Sequence, residues 1–456
     1  MQASLVFLLV GLLASAAFAL GRGRALAATS QSGRLHSLPG YYGWYAALWC
    51  GIPGLLVALA WVLFASSALD RLTLSAQPDL AAASPAEQAL FLNDVKILAG
   101  GGTGEAAPAV EAAVARYTAL RQGGLVGAIA LAAFLSIAGG ALALRRIAPA
   151  FAARVVVERW LRRALLLASA FAILVTAGIV FSLVFEAGRF FDRVPAHEFL
   201  FGLEWSPQTA IRADQVGSSG AFGAVPVFAG TLLITVIAML VAVPIGLLSA
   251  IYMSFYASAR FRDVAKPALE ILAGVPTVVY GVFAALLVAP GIRALGEAGG
   301  LAVASQSALA AGLVMGLMII PFISSLSDDA ITAVPLSLRD GSFGLGATRS
   351  ETIRHVIVPA ALPGIVGGVL LAVSRAIGET MIVVMAAGTA ANLTANPLEV
   401  VTTVTVQIVN LLTGDQEFDS AKTLSAFALG LVLFCVTLVL NVFALRIVQR
   451  YREKYD

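Results

Sequence analysis

Nine stretches of this chain, at residues 3–20, 44–67, 124–144, 164–185, 227–255, 268–290, 308–327, 364–388 and 423–445, are almost wholly apolar. Each is close to the roughly 20 residues that a helix needs to cross a hydrocarbon layer. Bilayer lipid offers no partner to a peptide N–H or C=O, so spanning segments are helices or closed barrels. Barrel strands alternate in polarity over about ten residues, and these runs are too long and too uniform for that. The chain therefore reads as an all-α, polytopic membrane helical bundle. Composition agrees: 59% of its 456 residues are hydrophobic and 12% are charged, the latter about half the share of a soluble domain. A disordered chain, a nucleic-acid-binding domain and an ordinary soluble enzyme are excluded. The net charge of +3 is too small to call for a polyanion partner. Cys50 and Cys435 both sit in apolar runs, which argues against a disulfide framework.

Lys and Arg concentrate in short cytoplasmic loops. Arg145, Arg146, Arg154, Arg159, Arg162 and Arg163 stand between the third and fourth runs, with Glu158 as the one acid. Arg22, Arg24 and Arg34 follow the first run, Arg260, Arg262 and Lys266 follow the fifth, and Arg446, Arg450, Arg452 and Lys454 close the chain. Nine spans put all four groups on one side. The C-terminus is then expected inside and the N-terminus outside, with Glu399, Asp415, Glu417 and Asp419 on the outer side. Ala17-Phe18-Ala19 resembles a signal-peptidase site. The run before it lacks a basic leader and the arginines come after it, which favours an uncleaved first helix. Residues 68–123 form a long outer loop with a helical stretch at 111–120. A composition break at the arginine cluster divides residues 1–155, with three spans, from residues 156–456, with six.

Only the eighth run carries charge in its middle. Arg375 lies near its centre and Glu379 follows four residues later. A charge at mid-bilayer costs about 2.5–3.5 kcal/mol on insertion scales and faces a wet cavity or the bundle interior. One reading is an intrahelical ion pair on a shared helix face. The other is a solute pathway: an arginine fork suits oxyanions, and Glu379 holds it or accepts from a protonated solute. Ser374 and Thr380 flank the pair with hydroxyls, and Gly378 permits close approach. Glu270 and Asp328 are read as helix-end residues that reach water.

Residues 328–362 are organised for a loop between spans. Pro335 and Leu336-Ser337-Leu338 start a short helix, Gly344 and Gly346 break it, and Thr348-Arg349-Ser350-Glu351 has the form of a capping box. Pro359 and Pro363 are expected to end the second helix. Phe343 and Leu345 either dock another protein or pack back on the bundle.

Asp340-Gly341-Ser342, then Gly346, then Val356-Ile357-Val358-Pro359 match the spacing of the EAA motif of ABC importer permeases. Asp stands for Glu, Gly-Ser for Ala-Ala, and Val at two aliphatic positions. Leu272 through Gly281, Arg375-Ala376-Ile377-Gly378-Glu379-Thr380-Met381, Phe222-Gly223-Ala224-Val225-Pro226, Gly230-Thr231-Leu232 and Glu204-Trp205-Ser206-Pro207 resemble segments of phosphate permeases. Together they resemble the PstC-type permease subunit of phosphate importers, over about residues 160–450; residues 1–155 lie outside the resemblance. It implies a six-helix ABC importer permease core in the inner membrane, to which the apolar runs add three N-terminal spans. It also implies a PstA-type permease partner, two ATP-binding subunits and a periplasmic phosphate-binding protein. Phosphate would pass Arg375, Glu379, Ser374 and Thr380. Asp340, Gly341, Ser342, Phe343, Gly346, Val356 and Pro359 would form the ATPase coupling loop.

No P-loop is present: the lysines are Lys96, Lys266, Lys422 and Lys454, and none follows a glycine-rich turn. The chain is therefore not expected to hydrolyse ATP or bind a cofactor itself; ATP and Mg belong to the partner ATPase. His36, His197 and His355 are too scattered for a metal site. Three alternatives remain open: a permease for molybdate, sulfate or phosphonate, a proton-coupled transporter using Glu379, and a membrane phosphate sensor.

Overall fold

The computed structural model describes residues 2–32, 35–77, 84–102, 108–208, 220–413 and 419–451. Arg34, Asp415, Glu417, Arg452 and Lys454, used above for orientation, lie outside them. Among the described residues nine helices are long and apolar enough to cross a membrane. The chain divides into two compact units, Met1–Leu174 and Val175–Asp456.

The first unit contains α1 (Gln2–Ser32), α2 (Pro39–Leu74), α3 (Pro85–Ala99), α4 (Pro108–Arg146) and the start of α5 (Ala153–Phe191). Tyr42, Tyr45, Ala46 and Cys50 of α2 pack with Ala17, Ala25 and Ala143. The loop before α5 is pinned there: Tyr42 Oη donates to the Phe151 carbonyl at 2.9 Å. The residues expected to form an outer loop are largely helical. The stretch at 111–120 is the beginning of α4, and both α2 and α4 run well past the length a bilayer requires. Their overhanging ends bury Leu69, Ala113 and Tyr117 around Val95 of α3. Ser84 and Glu87 form a capping box that starts α3, and Lys96 pairs with Asp70 at 2.8 Å.

The second unit continues α5 and adds α6 (Ala196–Phe201), a two-stranded antiparallel pair, β1 (Trp205–Ser206) and β2 (Ala221–Phe222), and α7 (Val225–Phe255). Trp205 is paired with Phe222, so the segments Glu204–Pro207 and Phe222–Pro226 meet in space. Their rings form an edge-to-face cluster with Phe190 and Phe199. Next come α8 (Ala259–Ala273), α9 (Thr277–Phe283), a π-turn (Ala284–Val288), α10 (Ala289–Ala298) and α11 (Ala308–Thr332). The sixth span therefore begins at Thr277, not near residue 268. Pro276 disfavours helix in the residue before it, and Gly274 closes α8. The core is the α7–α11 contact. Small residues recur at every fourth position of α7, at Ala238, Ala242 and Gly246, and let the backbones approach: Gly316 of α11 lies against Ala238 and Val241, Gly312 against Ile234 and Ile237, and Gly246 against Ile320 and Ile323. In lipid such packing replaces the hydrophobic effect as the source of helix association.

After α11 come α12 (Leu336–Gly344), α13 (Arg349–Thr352), a second π-turn (Ile353–Ile357) and α14 (Val358–Ile377). Pro359 and Pro363 do not end the helix, contrary to expectation. Each π-turn lies just before a proline, Pro290 or Pro359. Its wider pitch lets Val358 N–H reach the Ile353 carbonyl, so the helix runs through. The chain ends with α15 (Met381–Ala386), α16 (Val404–Leu412) and α17 (Ala421–Tyr451).

Candidate functional site

Arg375 is not at the middle of a continuous span. It lies half a turn from the C-terminus of α14, which stops at Ile377. Glu379 lies beyond the break, before α15. The two therefore do not share a helix face, and the intrahelical ion pair is not formed. The Glu379 carboxylate instead caps α15: Oε1 accepts from the backbone N–H of Met381 at 3.0 Å and of Ile382 at 3.4 Å. Thr405 Oγ1 donates to the Glu379 carbonyl at 2.8 Å and ties the break to α16. Interrupted helices at membrane depth are tolerated where backbone groups find such partners or face a water-filled cavity.

The Arg375 guanidinium carbon lies 5.7 Å from the centroid of Phe322 on α11, and the side chain is exposed. Among the described residues no carboxylate lies within ion-pair distance of it. Five donors of an obligate cation thus remain available on an exposed face. Ser374 and Thr380 are already engaged: Ser374 Oγ donates to Asn441 Oδ1 at 3.0 Å, and Thr380 Oγ1 to the Gly378 carbonyl at 3.4 Å. The structure brings two of the motif segments together. A Cβ on Gly281 would lie 2.7 Å from Met385 Sδ and 3.1 Å from the Met381 carbonyl oxygen, so glycine there lets α9 lie close against α15. Tyr280 Oη donates back to the Leu272 carbonyl at 2.9 Å.

Asp328 is not a water-exposed helix end. It is 2% exposed. It accepts from Ser254 at 2.5 Å, Arg262 at 3.2 Å and Lys266 at 2.8 Å, joining α7 and α8 to the end of α11. Hydropathy reading missed it because a carboxylate near a span end is unremarkable until α8 folds over it. The signal was the Arg262–Lys266 spacing, which puts two cations on one face of α8. Lys266 lies outside the spans, and its bond to Asp328 raises the ammonium above the ordinary lysine value.

The loop residues gather at the end of the same unit. Thr348 and Glu351 form both bonds of a capping box, and Ser342 and Thr352 hydroxyls meet at 2.9 Å. Ile357 and Val334 pack inward with Ala250 and Ile365. Phe343 and Leu345 do not pack back: they are 40% and 91% exposed. Gly346 takes φ +85°, which closes the turn. Asp340, Gly341 and Pro359 are exposed, and Val356 is half-buried. Arg349 braces the loop by donating to the Phe255 carbonyl at 3.0 Å.

A family model described as "Binding-protein-dependent transport system inner membrane component" matches residues 242–453. Another, "Phosphate ATP-binding cassette transporter", matches residues 6–175, so the N-terminal unit, left without a relative above, has one. A probable ABC transporter permease protein YqgH of Bacillus subtilis is 35% identical over 53% of this chain and 74% of its own length. The phosphate transport system permease protein PstC of Mesorhizobium japonicum is 31% identical over 55% of this chain and 78% of its own. The chain belongs to the PstC-type family of phosphate ABC transporter permeases. Among solved structures, an inward-facing MetNI methionine ABC transporter is similar at 18% identity, over 51% of this chain and 95% of that one, with a TM-score of 0.38. A PstC-type permease is a multi-pass component of an ABC importer, not an enzyme.

Proposed function

We propose that this chain lines the phosphate pathway of an ATP-driven importer and receives its driving motion from separate ATPase subunits. The observation that carries the reading is the unpaired Arg375 fork beside a helix break held by Glu379 and Thr405. An always-protonated planar donor set is suited to a tetrahedral oxyanion. Glu379 orients the break and Arg375 meets the solute; Ser374 and Thr380 shape the wall.

The coupling element is residues 328–362, with Asp340, Gly341, Ser342, Phe343, Gly346, Val356 and Pro359 in the roles named above. Leu345 adds an apolar knob to it, of the kind an ordered loop presents to a partner. The partners are a PstA-type permease, two ATP-binding subunits that hold ATP and Mg, and a periplasmic phosphate-binding protein. The middle of α5 supports a permease partner: Leu165, Phe171, Ile173, Phe181 and Phe185 all face outward. The arginine-rich loops are placed in the cytoplasm with the C-terminus, and the N-terminus outside.

The test is labelled-phosphate uptake into vesicles holding this chain with its partners, with and without ATP. ATP-dependent uptake supports the reading. Uptake indifferent to ATP points to a secondary transporter, and ATP hydrolysis without phosphate uptake to another oxyanion.

A further inference from the structure

The basic end of the N-terminal unit carries a groove that transport of phosphate leaves unexplained. Leu48, Trp49, Ile52 and Pro53 of α2 and Trp160 of α5 line a cavity of about 230 Å³. Its lining is almost entirely apolar. The α2 wall is set by close packing on α4, where a Cβ on Gly139 would run into the Trp49 carbonyl oxygen. Seven residues further along α4, the Arg146 guanidinium carbon lies 5.9 Å from the centroid of the Trp49 ring. The Arg163 guanidinium carbon lies 5.8 Å from that of Trp160. Both rings of the groove thus carry a cation.

These cations are not neutralised. Glu158, the one acid of the segment, is taken by Arg154 at 2.6 Å. Arg145, Arg146, Arg159, Arg162 and Arg163 are exposed, and among the described residues none has a carboxylate within ion-pair distance. Arginines that merely set membrane orientation need no aromatic support. Here the rings hold two forks beside an apolar slot, where a headgroup phosphate and an acyl chain sit in one molecule.

We propose that this groove binds an anionic phospholipid, with its phosphate between Arg146 and Arg163 and an acyl chain against Trp49, Ile52, Pro53 and Trp160. Free phosphate has no use for the apolar slot, and an acidic peptide has no chain to fill it.

The experiment uses the assembled transporter in mixed micelles and follows tryptophan emission as brominated lipids are added, since bromine quenches on contact. Dibrominated phosphatidylglycerol is expected to quench at a several-fold lower mole fraction than dibrominated phosphatidylcholine. The Arg146→Gln/Arg163→Gln double variant should abolish that several-fold preference, each guanidinium contributing at most about fivefold. Trp49→Phe/Trp160→Phe should remove the preferentially quenched emission, and it reports on the site even if the arginine variant fails to fold. Equal quenching by the two lipids overturns the proposal. So does an arginine variant that keeps the wild-type preference, or one that sheds the ATPase subunit with its lipid response unchanged.

Discussion

Lys266 Nζ lies 2.8 Å from Oδ2 of Asp328, a carboxylate that is 2% exposed although it stands one turn from the end of α11. The bond clamps α8 onto the helix that leads into α12. Replacing Asp328 with Asn leaves Arg262 and Lys266 facing each other without their counter-charge. Removal of one partner from a fully buried pair costs about 3–5 kcal/mol. Here both cations are about one-third exposed, so water screens part of that and about 1–3 kcal/mol is expected. The thermal unfolding midpoint of the purified complex should fall; an unchanged midpoint removes the clamp.

The same bond fixes a pH dependence. Lys266 is raised above its ordinary value of 10.5 in the folded chain. A raised lysine contributes fully below the unfolded value and loses that contribution as pH rises through the folded one. The stability gap between wild type and Asp328→Asn should stay constant from neutral pH to about pH 9 and shrink only in stronger alkali. A gap that closes between pH 6 and 8 contradicts this assignment.

Arg375→Gln removes the charge and keeps a donor. Loss of charge-assisted hydrogen bonds to the solute should lower phosphate uptake by roughly tenfold or more. Membrane expression should stay normal, because Arg375 is exposed and has no carboxylate partner among the described residues. Normal uptake would remove Arg375 from the pathway.

Leu345→Ser should leave the unfolding of the isolated permease unchanged, since the side chain is 91% exposed. It should reduce co-purification of the ATPase subunit. Gly346→Ala places a side chain at φ +85°, which costs about 1–2 kcal/mol; it should loosen the same contact through the loop's shape. Retained co-purification in both variants would move the docking surface elsewhere.

The nine spans were legible because lipid enforces them: a backbone with no water must close its hydrogen bonds in helices, and only apolar runs can carry them. The capping box at Thr348 and Glu351 was legible because it is a local contract between residues three apart. The break after Ile377 was not. Arg375 through Thr380 contains no proline, so hydropathy reads one run there. What ends the helix is capping by Glu379 and a bond from Thr405, 26 residues away. The prolines misled in the opposite sense: a π-turn precedes Pro359, and Pro363 sits inside the α14 helix without ending it. The fourfold spacing of Ala238, Ala242 and Gly246 stood in the sequence, but its meaning needed the facing row on α11.

The overhang of α2 and α4 acts as a ruler on the bilayer. Arg121 and Arg145 stand about 36 Å apart along α4 at the usual rise per residue, against a hydrocarbon thickness of about 30 Å. Below Arg121 the helix is locked to α3 by Val95, Ala113 and Tyr117. It can neither slide inward nor shed its charges. A hydrocarbon layer thicker than that spacing would have to thin around this unit, at a cost of fractions of a kcal/mol per ångström, and the N-terminal helices hold their depth while the lipid yields.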